Sequence, residues 1–217
     1  MNNAVTPGAP TSNENQLLSL PPNGLIRYQP SWLSSQEADQ LFESLDDQLD
    51  WKQRPITMFG REVMQPRLTC LYGDEGVRYR YSGKTMLAAT WIDALKQLSD
   101  RLNQILGVRF NSVLCNRYRD GQDSMGWHSD NEPELGLNPV IASVSLGERR
   151  RFRVKPRAQK SRQGEKSRPL SLALDHGSLL IMSGDLQHHW LHELPKVSGK
   201  AALRVGPRIN LTFRQIG

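Results

Sequence analysis

Two stretches of this chain repeat their apolar residues at helical spacing. In the first, Leu41, Phe42, Leu45 and Leu49 fall on one helix face. Ser34-Ser35-Gln36-Glu37 precedes them and has the form of a capping box: the Ser34 hydroxyl and the Glu37 carboxylate can satisfy amides that a first helical turn leaves free. The spacing therefore predicts a helix beginning near Ser34. In the second stretch Trp91, Leu95, Leu98, Leu102 and Ile105 form one stripe, which stops at Gly107. Both stripes are read as core faces packed against a sheet.

From Phe110 onward the period changes to two. FNSVLCNRY, PVIASVSLG, RRFRVK, LSLAL, SLLIM, HHWLH and RINLTFR read as short strands separated by turn residues, with no long helical pattern between them. In the first of these, Asn116 and Tyr118 share a face. In the last, Ile209, Leu211 and Phe213 face one way, and Arg208, Asn210, Thr212 and Arg214 the other. An edge strand with a solvated polar side would look the same. The functional alternative is a polar barrel lumen where arginines await a carboxylate. The order of elements predicts an α+β, mainly β fold: a β-sandwich or jelly roll with N-terminal helices packed on the sheet. Residues 1–24 are rich in Asn, Ser, Pro and Gly without periodicity and read as a disordered tail. The remainder, 25–217, has the size of one domain.

Composition narrows the class. With 217 residues, 37% hydrophobic and 23% charged, the composition rules out a fully disordered chain, a membrane span and a coiled coil. Cys70 and Cys115 sit in apolar stretches and read as reduced core thiols. The first residues do not form a secretory signal, so an intracellular protein is expected. The formal charge of +6 is uneven: residues 147–168 hold ten basic and two acidic side chains, which leaves the rest slightly acidic. A local basic patch suits a polyanion such as nucleic acid, and equally a solvated loop.

All five histidines, His128, His176, His188, His189 and His192, lie after residue 127. In an extended segment His128 and Asp130 project to one side and could bind one ion. A distal histidine would complete a two-His, one-carboxylate triad that leaves coordination positions open, the arrangement of non-haem Fe(II) oxygenases. By pattern the distal ligand is ambiguous, because His188 and His192 share a face of the predicted strand. His176, in Leu-Asp-His-Gly, reads as a structural turn residue.

Several stretches resemble the AlkB family of Fe(II)- and 2-oxoglutarate-dependent nucleic-acid dealkylases, most of all its animal DNA-repair branch. They are QPRLTCLYGD (65–74), YRYSG (79–83), NSVLCNRYRDGQDSMGWHSDNEP (111–133), IASVSLGERRRF (141–152), LDHGSLLIM (174–182), HWLHELPK (189–196) and PRINLTFR (207–214). The resemblance implies a double-stranded β-helix, or jelly roll, with nucleotide-recognition elements at about 52–86 and a catalytic core at about 108–217. It makes His128, Asp130 and His192 the iron ligands. It makes Arg208 the partner of the distal carboxylate of 2-oxoglutarate, a role that suits a planar guanidinium. Arg214 matches a second arginine near Asp130, Asn116 and Tyr118 match cosubstrate hydrogen-bonders, and Asn210 is a further polar support. Tyr79 and Tyr81 match aromatics of the lesion pocket, with Trp127 as a further lining candidate. Phe59 in Met-Phe-Gly matches an apolar finger that fills the gap left by a flipped base. Arg149, Arg150, Arg151, Arg153, Lys196, Lys200 and Arg204 are expected on phosphates.

The implied cofactors are Fe(II), the cosubstrate 2-oxoglutarate, and O2. The implied activity is oxidative dealkylation of bases such as 1-methyladenine and 3-methylcytosine in DNA, with decarboxylation of 2-oxoglutarate to succinate and release of an aldehyde. The expected protein is a monomer with no membrane partner, cytoplasmic in a bacterium and nuclear in a eukaryote. The alternatives are the same chemistry on RNA and a non-catalytic nucleic-acid-binding jelly roll. A binder would need none of His128, Asp130, His192, Arg208 and Arg214, and a zinc hydrolase would leave the paired arginines without a purpose.

Overall fold

The computed structural model describes residues 15–58, 60–81, 84–157 and 169–217. The chain runs β1 (Gln16–Leu20), β2 (Gly24–Gln29), α1 (Ser35–Gln48), β3 (Pro55–Met58), β4 (Arg61–Met64), β5 (Leu68–Gly73), β6 (Arg78–Tyr81), β7 (Lys84–Leu87), β8 (Ala89–Thr90) and α2 (Asp93–Leu106). It continues with β9 (Ser112–Tyr118), β10 (Met125–His128), β11 (Ile141–Gly147), β12 (Arg150–Pro156), β13 (Leu170–Leu174), β14 (Ser178–Ser183), the turn α3 (Leu186–His189), β15 (Trp190–Leu194) and β16 (Arg208–Arg214). An eight-stranded sheet in the order β1-β2-β14-β11-β16-β9-β5-β8 faces a four-stranded sheet, β10-β15-β12-β13. The hairpins β3–β4 and β6–β7 are hydrogen-bonded into neither sheet, though Tyr79 and Met86 of the second pack on Leu71 and Leu114 of the large one. This is the jelly roll expected from the strand pattern.

α1 starts as its capping box predicts. Ser34 Oγ accepts from the Glu37 amide at 3.2 Å, and a Glu37 carboxylate oxygen accepts from the Ser34 amide at 2.9 Å. α2 ends in Gly107, whose φ of 64° is left-handed and costs glycine little. The stripes Ala38, Leu45, Leu49 and Leu95, Leu98, Leu102 pack on the outer face of the large sheet with Val113, Cys115, Ile209, Leu211 and Phe213. Trp91 lies before α2 and Ile105 is exposed, so the working stripe is shorter than the periodicity suggested. A second cluster, with Ile26, Ile141, Phe152, Val154, Leu172 and Leu180, fills the space between the sheets.

β16 pairs with β11 on one side and β9 on the other. Its polar face is therefore not the solvated side of an edge strand; it is turned into the sandwich. Two expectations fail. Residues 16–20, placed in the disordered tail, form β1 and pair with β2: Leu20 is buried, and an existing strand edge supplies hydrogen-bond partners that composition alone does not reveal. Residues 1–14 of that tail lie outside the described residues. HHWLH is not a continuous strand, because 186–189 form the turn α3 and only Trp190 onward is extended.

Candidate active site

Alternation along β10 and β15 turns His128 and His192 into the sandwich, and pairing sets them opposite each other, with ring centroids 4.2 Å apart. Asp130 follows just beyond β10 and is buried. One ligand atom from each of His128, Asp130 and His192 lies within 4.8 Å of the others. The His128 Nδ1 contacts the Gly126 carbonyl at 2.8 Å; a carbonyl only accepts, so the proton belongs on Nδ1 and Nε2 keeps its lone pair. That Nε2 is 3.9 Å from Oδ1 of Asp130.

The surroundings hold these groups in metal-binding protonation states. Burial opposes ionisation of Asp130, but Arg214, whose Nη2 donates to Oδ2 at 2.9 Å, and the two histidines prevail, and its pKa falls to about 2. Burial, reinforced by the neighbouring His128, lowers His192 to about 3. Burial also lowers His128, against the pull of Asp130. Arg214 rises above the usual arginine range because Asp130 outweighs its desolvation. Among the described residues, the buried Oδ1 of Asp130 and Nδ1 of His192 have no hydrogen-bond partner. Two neutral imidazoles and an ionised carboxylate with a spare oxygen fit a divalent cation, and this set matches a facial triad.

The polar face of β16 completes the cavity. Arg208, Asn210, Thr212 and Arg214 line it with Asn116 and Tyr118 of β9. Arg208 is 1% exposed, donates to Ser145 Oγ at 2.8 Å and lies 5.4 Å from the Tyr118 ring centroid. Among the described residues its buried Nε has no partner, and no carboxylate pairs with it. Desolvation lowers its pKa to about 10. A buried guanidinium without a counter-ion is costly, and a carboxylate ligand would satisfy it. Asn210 donates to Ser143 Oγ at 2.7 Å and is braced by Thr212.

A family model, the 2OG-Fe(II) oxygenase superfamily, matches residues 25–214. Human "Alpha-ketoglutarate-dependent dioxygenase alkB homolog 3" is 39% identical over 204 residues, covering 92% of this chain and 69% of its own length. The chain belongs to the AlkB family of 2OG-Fe(II) oxygenases. Bovine "DNA oxidative demethylase ALKBH2" is 42% identical over 186 residues, 83% of this chain and 65% of the relative. The solved structure of OsALKBH1 shares the fold, with a TM-score of 0.56 at 16% identity over 92% of this chain and 100% of that one. Enzymes of this family use Fe(II), 2-oxoglutarate and O2, and the oxygenase described here is one of them.

Several expected substrate contacts are placed differently. Trp127 does not line the cavity: as the neighbour of His128 on a strand it points outward, under Lys155 and Arg153. Tyr79 has no exposed face for a base. It is fully buried, its ring centroid 5.2 Å from the Arg214 guanidinium. Arg150 is 2% exposed and donates to the carbonyls of Asp120, Asp123 and Pro195, so it staples two loops and cannot reach a phosphate. Arg149 pairs with Asp175 and Arg153 with Glu193, while Arg151, Lys196, Lys200 and Arg204 are exposed. Phe59, the Tyr81 side chain and residues 158–168 of the basic stretch lie outside the described residues. His188 does not share a face with His192; it sits in α3 and meets the Leu137 carbonyl. His176 is structural, as expected, and accepts from the Gly147 amide.

Sequence reasoning missed three polar supports of the oxygenase site. Gln187 is 1% exposed, and its Oε1 accepts the Asp130 amide at 3.0 Å. Buried Arg67 donates from Nε to Asn116 Oδ1 at 2.9 Å. Glu132 keeps a buried oxygen, and burial together with Asp130 raises its pKa. Gln187 falls between the predicted strands SLLIM and HHWLH, so nothing in the pattern singled it out. Arg67 lies in the bend just before β5, outside any periodic pattern.

Proposed function

We propose that this oxygenase removes N-alkyl groups from bases of DNA, with 1-methyladenine and 3-methylcytosine as the lesions to test first, and converts 2-oxoglutarate to succinate as it does so. One observation carries the reading. A buried two-His, one-carboxylate set shares a single cavity with Arg208, a buried cation with no counter-ion among the described residues. A binding module has no use for either. The relatives' own designation, DNA oxidative demethylase, supports the substrate class.

His128, Asp130 and His192 would hold the ferrous ion, and Arg208 the distal carboxylate of 2-oxoglutarate, with Asn116, Tyr118, Asn210 and Arg214 about it. When bound, the iron supplies oxygen activation, which drives decarboxylation of the keto acid and hydroxylation of the alkyl carbon. Arg214 keeps Asp130 ionised throughout, and the Gly126 carbonyl keeps His128 in the tautomer that presents Nε2. The buried walls formed by Leu114, Phe152, Leu174 and Leu180 exclude water from the reacting centre. The hydroxylated N-alkyl carbon then collapses to an aldehyde and the free base. A base in a duplex must first leave the stack, at a cost of a few kcal/mol. Residues 25–217 would be the catalytic domain, and the β3–β4 and β6–β7 hairpins, within 52–86, the recognition elements. Exposed Arg149, Arg151, Lys196, Lys200 and Arg204 would meet phosphates. We place the enzyme as a monomer working where nucleic acid is, in the cytoplasm of a bacterium or the nucleus of a eukaryote. Among the described residues no helix is long and apolar enough to cross a membrane.

The test is incubation with 1-methyladenine and 3-methylcytosine in single- and double-stranded DNA and in RNA, with and without Fe(II). Succinate and formaldehyde should appear together on DNA and vanish in His128→Ala. Turnover on RNA alone would transfer the reading to the other polymer, and none on any substrate with iron loading confirmed would end it.

A further inference from the structure

The outward face of the four-stranded sheet carries a group that the cavity does not use. Strand alternation puts Phe152, Val154 and His192 inside, so Arg151, Arg153, Lys155 and Glu193 turn out, with Trp127 beside them on β10. The Lys155 Nζ lies 4.3 Å from the Trp127 ring centroid, and the Arg153 guanidinium carbon 5.3 Å. Trp127 is half-buried, although it belongs to neither core cluster between the sheets nor the one beneath the helices. Three cations stand against one carboxylate, Glu193, which holds Arg153 at 3.0 Å. The register of β12 on β15 sets Arg151 level with the start of the loop that carries exposed Lys196, Lys200 and Arg204. The positive surface therefore runs on from the indole.

We propose that this face is a docking platform for a single-stranded stretch of nucleic acid leading away from the cavity. Trp127 stacks one unpaired base, and Lys155 and Arg153 take the adjoining phosphates. The inference rests on the nucleic-acid reading above and adds to it where the strand runs. An aromatic face flanked by cations suits this ligand because every base has a π-face and every linkage a charge, so binding tolerates sequence. In the free protein the Lys155 ammonium rests on the ring. A base displaces it, and the ammonium moves to the phosphate. The occupant is single-stranded because a paired, stacked base has no free face to offer. Trp127 immediately precedes the proposed ligand His128, so a strand whose target base is in the cavity passes close to this surface.

The experiment measures binding of a long unmethylated oligodeoxythymidylate by fluorescence anisotropy, alongside KM for a methylated trinucleotide too short to reach the platform. Trp127→Ala should weaken the long strand about 5- to 150-fold. Trp127→Phe should recover most of that, and the trinucleotide KM should stay at the wild-type value. Lys155→Ala should make the slope of log K against log salt shallower by about 0.7, one phosphate's share on a single strand. Wild-type affinity in Trp127→Ala or an unchanged slope in Lys155→Ala overturns the platform, as does an equal loss on fully paired duplex. If Trp127→Ala melts early, Trp127→Phe and Lys155→Ala decide. A wild-type enzyme that binds and demethylates while the variants match it sinks the platform alone. A wild-type enzyme that binds no oligonucleotide sinks the substrate reading too.

Discussion

Replacing Arg208 by Met should have two effects of opposite sign. In the ligand-free protein the guanidinium is 1% exposed and has no counter-ion among the described residues, and burial holds its pKa at about 10 against 12.5 for a free arginine. A base whose folded pKa is depressed destabilises the fold at every pH below that value. A difference of this size amounts to about 3 kcal/mol at neutral pH, at about 1.4 kcal/mol per unit. Methionine fills a similar length without the charge and gives up the bond to Ser145 Oγ, worth about 1–2 kcal/mol. The net is a ligand-free protein more stable by about 1–2 kcal/mol, or a few degrees in Tm for a chain of this length. The cosubstrate would lose the buried cation proposed to hold its distal carboxylate. Truncating one side of a buried charge pair costs about 2–5 kcal/mol, roughly 30-fold to several thousand-fold in Kd. Thermal melts with Mn(II) replacing iron, with and without 2-oxoglutarate, measure both effects. The wild type should melt higher as ligand is added, because binding to the folded state alone stabilises it. Arg208→Met should start higher and fail to respond. A variant that binds 2-oxoglutarate within about threefold of wild type, or melts several degrees lower without ligand, would refute the assignment of Arg208 as the cosubstrate anchor.

Three further outcomes follow from the geometry. Gln187→Leu removes the acceptor that fixes the Asp130 amide, so Co(II) affinity measured by titration should fall about 10- to 100-fold while oligonucleotide affinity holds. Because burial lowers His192 from 6.5 to about 3, the unfolded chain takes up this proton first as pH falls. Metal-free stability should therefore drop below pH 6.5 by up to about 1.4 kcal/mol per pH unit from this group, and urea melts of His192→Gln should show a shallower decline. Gly147 has a φ of 81°, and an added Cβ would lie 2.5 Å from the Pro207 carbonyl oxygen and 2.8 Å from the Phe42 ring. Gly147→Ala should accordingly cost at least about 1–3 kcal/mol in a denaturant melt, and a wild-type midpoint would show that the turn yields.

Much of the molecule can be read from one dimension because its physics is local. The α1 start follows from two side chains three residues apart, the α2 stop from one glycine, and the two faces of β16 from a period of two. The likeness of the His-Ser-Asp and Arg-Ile-Asn-Leu-Thr-Phe-Arg segments to a known family named the ligands and the anchor. What remained hidden depends on contacts between distant parts of the chain. β1 is a strand because the edge of β2 is there to receive it. Arg150 and Arg151 look equivalent in a basic run, yet alternation buries one under three carbonyls and leaves the other in water. Trp127 could stand inside or outside until the direction of its neighbour His128 settled it. The distal ligand was open between His188 and His192 on pattern alone; α3 curls the first away and the pairing of β10 with β15 sets the second opposite His128. Periodicity assigns a side chain to a face, but which face meets the cavity, and which buried charge goes without a partner, is decided only when the two sheets close on each other.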